Sequence, residues 1–176
     1  NAGIVLGQGV FMNCSNLSGS IQSVFDQTFY IEENGQPSAT VVAEGQFSGF
    51  SGLTGNLTIP YYITEIKNNA FYGCTGIESL NFDEGTTGSQ LISIGDSAFE
   101  ACTGLKNKLV IPSKVINIGE YCFKNSPILG LELDKNLENI GQGAFYGCSN
   151  IEGKIIIPEK VQKINNETFA HCYKIE

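Results

Sequence analysis

Phenylalanine returns along this chain at Phe11, Phe47, Phe71, Phe99, Phe123, Phe145 and Phe169, each time inside one local pattern of apolar and polar positions. Ala70-Phe71 precedes Gly73-Cys74 and Ile77, Ala98-Phe99 precedes Cys102 and Leu105, and Ala144-Phe145 precedes Gly147-Cys148 and Ile151. The unit is Ala-Phe, two residues, Cys, two residues, Leu or Ile. Successive phenylalanines lie 36, 24, 28, 24, 22 and 24 residues apart. That period signals a stack of small units rather than one globular core, and the two long intervals mark insertions.

Further offsets agree. Ile59-Pro60, Ile111-Pro112 and Ile157-Pro158 hold one slot before the next phenylalanine, with Asp134 in the same slot of another copy. A Val/Ile-x-x-Ile step follows as Ile63 and Ile66, Val115 and Ile118, Val161 and Ile164, with Leu137 and Ile140 in the Asp134 copy. Then comes glycine, at Gly7, Gly95, Gly119 and Gly141, or Asn165. Glycine is expected where a chain turns with positive φ, and asparagine tolerates such a turn best among the rest.

Before the proline slot, Leu57-Thr58-Ile59, Leu80-Asn81-Phe82, Leu109-Val110-Ile111, Leu131-Glu132-Leu133 and Ile155-Ile156-Ile157 each space an apolar pair by two. A strand buries such a pair on one side. Strands a whole unit apart cannot form hairpins, so stacking predicts a parallel sheet along one wall of an α/β solenoid. Seven units at about 4.8 Å each give a rod roughly 30 Å long. Opposite, segments such as Asp96–Cys102 are long enough for one or two turns. Short helices or 3-10 turns are expected there, with Ala98, Phe99 and Cys102 facing inward and the phenylalanines forming a spine.

The chain has 176 residues and net charge −8; its ten basic residues are all lysine. With no guanidinium forks and an acidic balance, nucleic acid and anionic membrane are poor partners. No apolar run reaches the roughly 18 to 20 residues that span a bilayer, and no stretch reads as a signal peptide, so no membrane insertion is expected in this segment.

Of the six cysteines, Cys14, Cys74, Cys102, Cys148 and Cys172 fall three residues after a repeat phenylalanine, and Cys122 takes an alanine slot. A disulfide framework would not sit in one phase of a repeat; free thiols packed as small hydrophobes are expected, with a bond between stacked neighbours such as Cys74 and Cys102 as the alternative. Phe50 and Ser126 fill the slot elsewhere, so sulfur is not required. No CxxC pair offers zinc spacing. His171 beside Cys172 does not read as a nucleophile pair, because adjacent residues on a turn point apart. Gly141-Gln142-Gly143 and Gly147 miss the dinucleotide-loop spacing, since Tyr146 holds the last position. Asp83-Glu84-Gly85-Thr86-Thr87-Gly88 reads as a solvated turn ahead of a calcium loop. No catalytic residue, metal or cofactor is assigned.

The unit resembles the leucine-rich repeats of BspA-like bacterial surface proteins and treponemal repeat proteins, most closely in Gly147-Cys148-Ser149-Asn150-Ile151-Glu152-Gly153-Lys154-Ile155-Ile156-Ile157-Pro158. The match covers the chain apart from roughly residues 25 to 37. The resemblance implies a secreted or cell-surface, extracellular binding protein of the adhesin kind, meeting a protein or glycan, with no cofactor and no catalysis. A leucine-rich fold alone names no partner.

In the first insertion, Phe29-Tyr30-Ile31, Glu33-Asn34-Gly35 and Thr40-Val41-Val42 read as a hairpin near residues 25–43. Residues 1–176 are otherwise one solenoid domain of about seven units. An uncapped solenoid end exposes core, which predicts a segment of a longer array or ends covered by a partner, end-to-end self-association included. The outward sheet positions are the candidate binding face: Asn56, Thr58, Asn81, Lys108, Val110, Glu132, Lys154 and Ile156, with Ser79 and Gly130 between them. Val110 and Ile156 flank Glu132. A purely structural spacer is the alternative to a binder, and it would tolerate any outward substitution.

Overall fold

The structure, a computed structural model, describes residues 18–28, 35, 37 and 39–176. Phe11 and Cys14, and the expected hairpin's first arm and its Asn34, lie outside the described residues. Residues 25–28 belong to a helix, and the second arm, Val41–Val42, is a strand that pairs parallel with Glu65–Ile66.

The chain winds as a right-through stack with three walls. The first wall holds the strands expected before the proline slot, but in three pieces. Strands β1 (Gly19–Ser20), β3 (Leu53–Ile59) and β5 (Ile77–Phe82) form one sheet, β7 (Lys108–Val110) and β9 (Gly130–Glu132) a second, and β11 (Glu152–Gly153) and β12 (Lys174–Ile175) a third. The expected strand at Ile155–Ile157 does not form. The second wall was not anticipated from the pattern. It is a continuous five-stranded parallel sheet of β2 (Val41–Val42), β4 (Glu65–Ile66), β6 (Ser93–Ile94), β8 (Asn117–Ile118) and β10 (Asn139–Ile140). Each of its strands ends on the apolar residue that closes the Val/Ile-x-x-Ile step or its equivalent, and that residue is buried.

The proline slot turns the chain from the first wall to the second. The N–H of Ile63 donates to the Pro60 carbonyl at 3.1 Å, and Val115 and Val161 repeat the bond to Pro112 and Pro158. Proline presets the φ that such a turn needs. Asp134 replaces it by another route: its carboxylate accepts the Asn136 N–H at 2.9 Å, an Asx turn.

The third wall carries the phenylalanines, and of the expected short helices or 3-10 turns it is built of turns. Among the described residues the one α-helix is α1 (Ile21–Thr28). The reason lies in where alternate N–H groups go. Tyr72 and Cys74 donate to carbonyls three residues back, whereas Asn69, Phe71 and Gly73 donate to Asp96, Ala98 and Glu100 of the next unit at 2.8 Å. The same three-bond ladder joins every later pair of units up to Gly143, Phe145 and Gly147 with Asn166, Thr168 and Ala170. To aim these groups outward, the residues two before and two after each phenylalanine take positive φ, including Ser97 and Ala101 at 51° and 58°. A right-handed helix cannot run through them.

Behind this wall the rings of Phe47, Phe71, Phe99, Phe123, Phe145 and Phe169 stack with centroids 4.9 to 5.5 Å apart and planes within 7°. Phe25 of α1 packs beside the first two of these rings, 5.6 Å from Phe47 and 6.1 Å from Phe71.

The glycines after the Ile step have another function than expected. Gly95, Gly119 and Gly141 are absent from the positive-φ set. They are glycine because the preceding unit's backbone lies against them: a Cβ on Gly119 would stand 2.5 Å from the Asp96 nitrogen. Asn165, in the last copy, sends its side-chain amide to the Ile140 carbonyl at 2.7 Å, the role that the Gly141 N–H plays toward Ile118.

The cysteine slot likewise gains a role. Cys74, Cys102, Cys122, Cys148 and Cys172 are free thiols. Cys74 donates to the Phe47 carbonyl at 3.0 Å, Cys102 to Phe71, Cys148 to Phe123 and Cys172 to Phe145. Ser126 makes the same bond to Phe99 at 2.6 Å. In every described copy but that of Phe50 the slot therefore holds a small donor to a buried carbonyl, which explains why serine can stand in for cysteine.

Burial pushes the Cys74 thiol up to about 12 and raises those of Cys102, Cys122 and Cys148 well above their ordinary value. Two results are expected. At pH 8 an aromatic disulfide reagent should modify these four only as fast as the chain unfolds. Because the unfolded chain loses thiol protons near its ordinary value of 9.0 while the folded one keeps them, stability should fall as pH rises from about 9 toward 12. Urea midpoints measured at pH 8, 9 and 10.5 check this; a rising midpoint would refute it.

Candidate functional site

The eight outward residues named from the sequence fall into two groups. In the N-terminal group, Asn56, Thr58 and Asn81 sit on β3 and β5, with Thr58 opposite Asn81 in register. Ser79 donates to Asn56 Oδ1 at 2.7 Å and receives the Asn81 amide at 3.1 Å, a polar chain across the two strands. Thr58 is less available than the sequence implied. Gln22 of α1 reaches its backbone, accepting the Thr58 N–H at 2.6 Å and donating to the Thr58 carbonyl at 3.3 Å.

Between β5 and β7 the backbone ladder stops, and a side chain fills in. The carboxamide of Asn107 accepts the Leu80 N–H at 3.1 Å and donates to the Leu80 carbonyl at 2.9 Å. Both carboxamides thus do the work of a neighbouring strand's peptide group.

In the C-terminal group, β7 and β9 pair with Lys108 opposite Gly130 and Val110 opposite Glu132. Lys108 and Glu132 form an ion pair of 2.6 Å, with 60% and 59% of their side chains exposed. Such a pair contributes about 0 to 1 kcal/mol and acts mainly as a marker of polarity. Val110 is 50% exposed and Ile156 74% exposed, so both apolar residues do face solvent. Ile156, however, lies past the end of β11 rather than on a strand.

A groove of about 680 Å³ opens along the outer side of β9, bounded by Lys108, Glu132, Glu152, Lys154 and Ile156 and floored by Leu131. It brings together four of the eight sequence-named residues: Lys108, Glu132, Lys154 and Ile156. Val110 borders Glu132 without lining it, and Asn56, Thr58 and Asn81 lie apart. Glu152 and Leu129, which is 45% exposed, also line the groove and were not singled out from sequence. The one signal available was Gly130, the smallest outward residue in the wall, which leaves a notch beside Lys108.

The other chemistry-bearing clusters are occupied by structural bonds. Asp83 accepts the Gly85 N–H at 3.0 Å and Glu84 accepts the Ser89 N–H at 2.9 Å, holding the acidic loop as a turn. His171 Nδ1 lies 2.6 Å from the Tyr173 hydroxyl, while the neighbouring Cys172 thiol points to the Phe145 carbonyl. Among the described residues no group of three or more His, Cys, Asp or Glu is placed to hold a metal, and no helix is long and apolar enough to cross a membrane.

Parallel strands one unit apart, a spine of inward apolar residues and a turn wall opposite the strands define a leucine-rich repeat solenoid. The chain belongs to the BspA type leucine rich repeat family, whose six-copy sequence model matches residues 20–90 and 86–176. Among solved structures it is similar to a leucine rich repeat protein of T. pallidum, at 24% identity over 83% of this chain and 64% of that one, with a TM-score of 0.72. It is also similar to a leucine-rich repeat protein from Bacteroides ovatus, at 23% identity over 84% of this chain and 36% of that one, with a TM-score of 0.70. Both likenesses concern the fold, and this chain spans less than two thirds of either protein's length. No curated protein matches it.

Proposed function

We propose that this chain is a non-catalytic binding module of a secreted or cell-surface protein, an adhesin-type element that holds a protein or glycan against its first wall. The observation that carries this reading is the grooved half of that wall. It sets exposed Val110 and Ile156 beside Lys108, Glu132 and Lys154 on a backbone held by the phenylalanine spine. Rigid presentation of a mixed apolar and charged patch lowers the ordering cost of binding. The thiols lend the reading support from another side: protonated and engaged with carbonyls, they serve the core.

The test is binding of the purified chain to arrayed extracellular-matrix proteins, glycans and whole microbial cells, with the double variant Val110→Ser, Ile156→Ser beside it. Saturable binding that weakens at least about tenfold in the variant is the expected result. Binding unaffected by the variant would move the site off this wall.

A second reading, a spacer or assembly segment of a longer array, is favoured by the C-terminal face. There Ile157 and Ile164 are 37% and 44% exposed around Phe169 and Ile175. The N–H groups of Glu167, Phe169 and His171, which continue the turn-wall ladder, have no partner among the described residues. This face fits another unit, from the same array or from a second copy end to end. Under this reading no array spot binds, and sedimentation of the chain shows concentration-dependent growth.

A further inference from the structure

The groove beside β9 is a break in the sheet, and its chemistry specifies what can enter. Within a strand the N–H and C=O of one residue point to the same side, and successive residues alternate. The Ile111 N–H donates to the Glu132 carbonyl at 2.9 Å, so Glu132 and Gly130 face β7 and the peptide groups of Leu131 face the other way, into the groove. Nothing among the described residues meets them there. The last backbone bond across the break is from the Glu152 N–H to the Leu129 carbonyl, at 3.3 Å. Beyond it Gly153, at φ 82°, turns the chain aside, and residues 154–157 run past without pairing. Leu131 consequently keeps 7% exposure, whereas the other core residues keep 2% or less.

Elsewhere in the same wall the chain shows how such a strand side is satisfied. Thr58 receives the Gln22 carboxamide and Leu80 the Asn107 carboxamide, each through one accepted and one donated bond. The stretch Leu105-Lys106-Asn107-Lys108-Leu109-Val110-Ile111-Pro112 aligns residue for residue with Ile151-Glu152-Gly153-Lys154-Ile155-Ile156-Ile157-Pro158. Gly153 therefore stands where Asn107 stands. The unit after β9 has lost the carboxamide that closes the equivalent break, and a Cβ at Gly153 would meet nothing within 4 Å.

Resting on the binding-module reading, we propose that this slit takes an extended peptide of a partner protein, added as a strand whose amide groups pair with Leu131. Strand addition at an open edge draws affinity from main-chain bonds and specificity from alternate side chains. The walls name those side chains. Ile156 and Leu129 offer apolar contact to one face of the peptide. Among the described residues Glu152 and Lys154 form no ion pair, unlike Lys108 and Glu132, and so leave one carboxylate and one ammonium for a peptide carrying both signs of charge.

The probe is an N-acetylated, C-amidated five-residue peptide of valine alternating with lysine and glutamate, titrated into the ¹⁵N-labelled chain. In the free chain the Leu131 amide should exchange with solvent at least about tenfold faster than the Leu80 amide, its bridged counterpart. The peptide should shift the Leu131 resonance saturably below about 1 mM and slow its exchange. Gly153→Asn, which returns a carboxamide to the Asn107 slot with the residue that best tolerates positive φ after glycine, should remove at least about nine tenths of that response while lowering the melting temperature only slightly. Ile156→Ser should weaken it with the fold equally intact. Leu131 already as protected as Leu80, saturable binding that leaves Leu131 unmoved, or a response unchanged in Gly153→Asn would each overturn the proposal. The broader reading is separable: array binding that survives Gly153→Asn retains the module and removes the slit.

Discussion

Phe99→Ala should lower the free energy of unfolding by about 3 to 5 kcal/mol, one of the largest losses available to a single substitution in this chain. Phe99 is fully buried, with Phe71 4.9 Å away on one side and Phe123 5.4 Å away on the other. Removing its ring costs the transfer of the aromatic surface and leaves a cavity. It also breaks two stacked contacts, each adding about 0.5 to 1.5 kcal/mol beyond area. The cavity cannot collapse easily, because the three ladder bonds on the turn wall hold the units at a set spacing. Phe169 supplies the comparison, being half-buried with one stacked neighbour, Phe145. Its replacement by Ala should cost less than half as much. Urea unfolding of both variants decides this. Equal losses would mean that stability is not passed between neighbours as a stack requires.

Gly119→Ala should cost about 3 kcal/mol although it adds a single methyl group. The new Cβ would stand 2.5 Å from the Asp96 nitrogen and 2.6 Å from the Gly95 carbonyl carbon, both backbone atoms with no rotamer to change. Relief requires the two units to part, which strains the bond from the Gly119 N–H to the Ile94 carbonyl at 2.8 Å and the ladders on either side. Gly130→Ala is the control. Its neighbour is the flexible Lys108 side chain at 3.3 Å, and the change should stay within about 0.5 kcal/mol. Thermal melts of the two variants suffice; a Gly119→Ala protein as stable as the parent would remove the close-approach account of these glycines.

The periodic part of this architecture was legible because it depends on side chains that repeat. Phenylalanines in one phase must stack once the units stack, and Ile-Pro in one phase must turn together. The role of Gly119 was not legible, since glycine for positive φ and glycine for close approach read alike in sequence. Only the neighbouring backbone distinguishes them. The spacing of Ala98, Phe99 and Cys102 suits short helices and 3-10 turns alike, and the choice of turns is not legible, because the destination of the Phe99 N–H, the Cys122 carbonyl one unit on, is set by the stack.

The candidate site divides along the same line. Lys108, Val110 and Glu132 could be named from alternation alone, because strand geometry sends every second residue outward, and Lys154 and Ile156 keep that alternation although residues 154–157 form no strand. That Thr58 is engaged by Gln22, that Asn107 closes one break, and that Gly153 leaves another open depend on where the wall's ladder lapses. The amino-acid sequence by itself determined the repeat, its apolar interior and its outward residues, through periodicities local to each unit. The tertiary structure decided the second sheet, the close-approach glycines, the donor role of the thiols and the slit beside Leu131, because each is a relation between backbones of successive units.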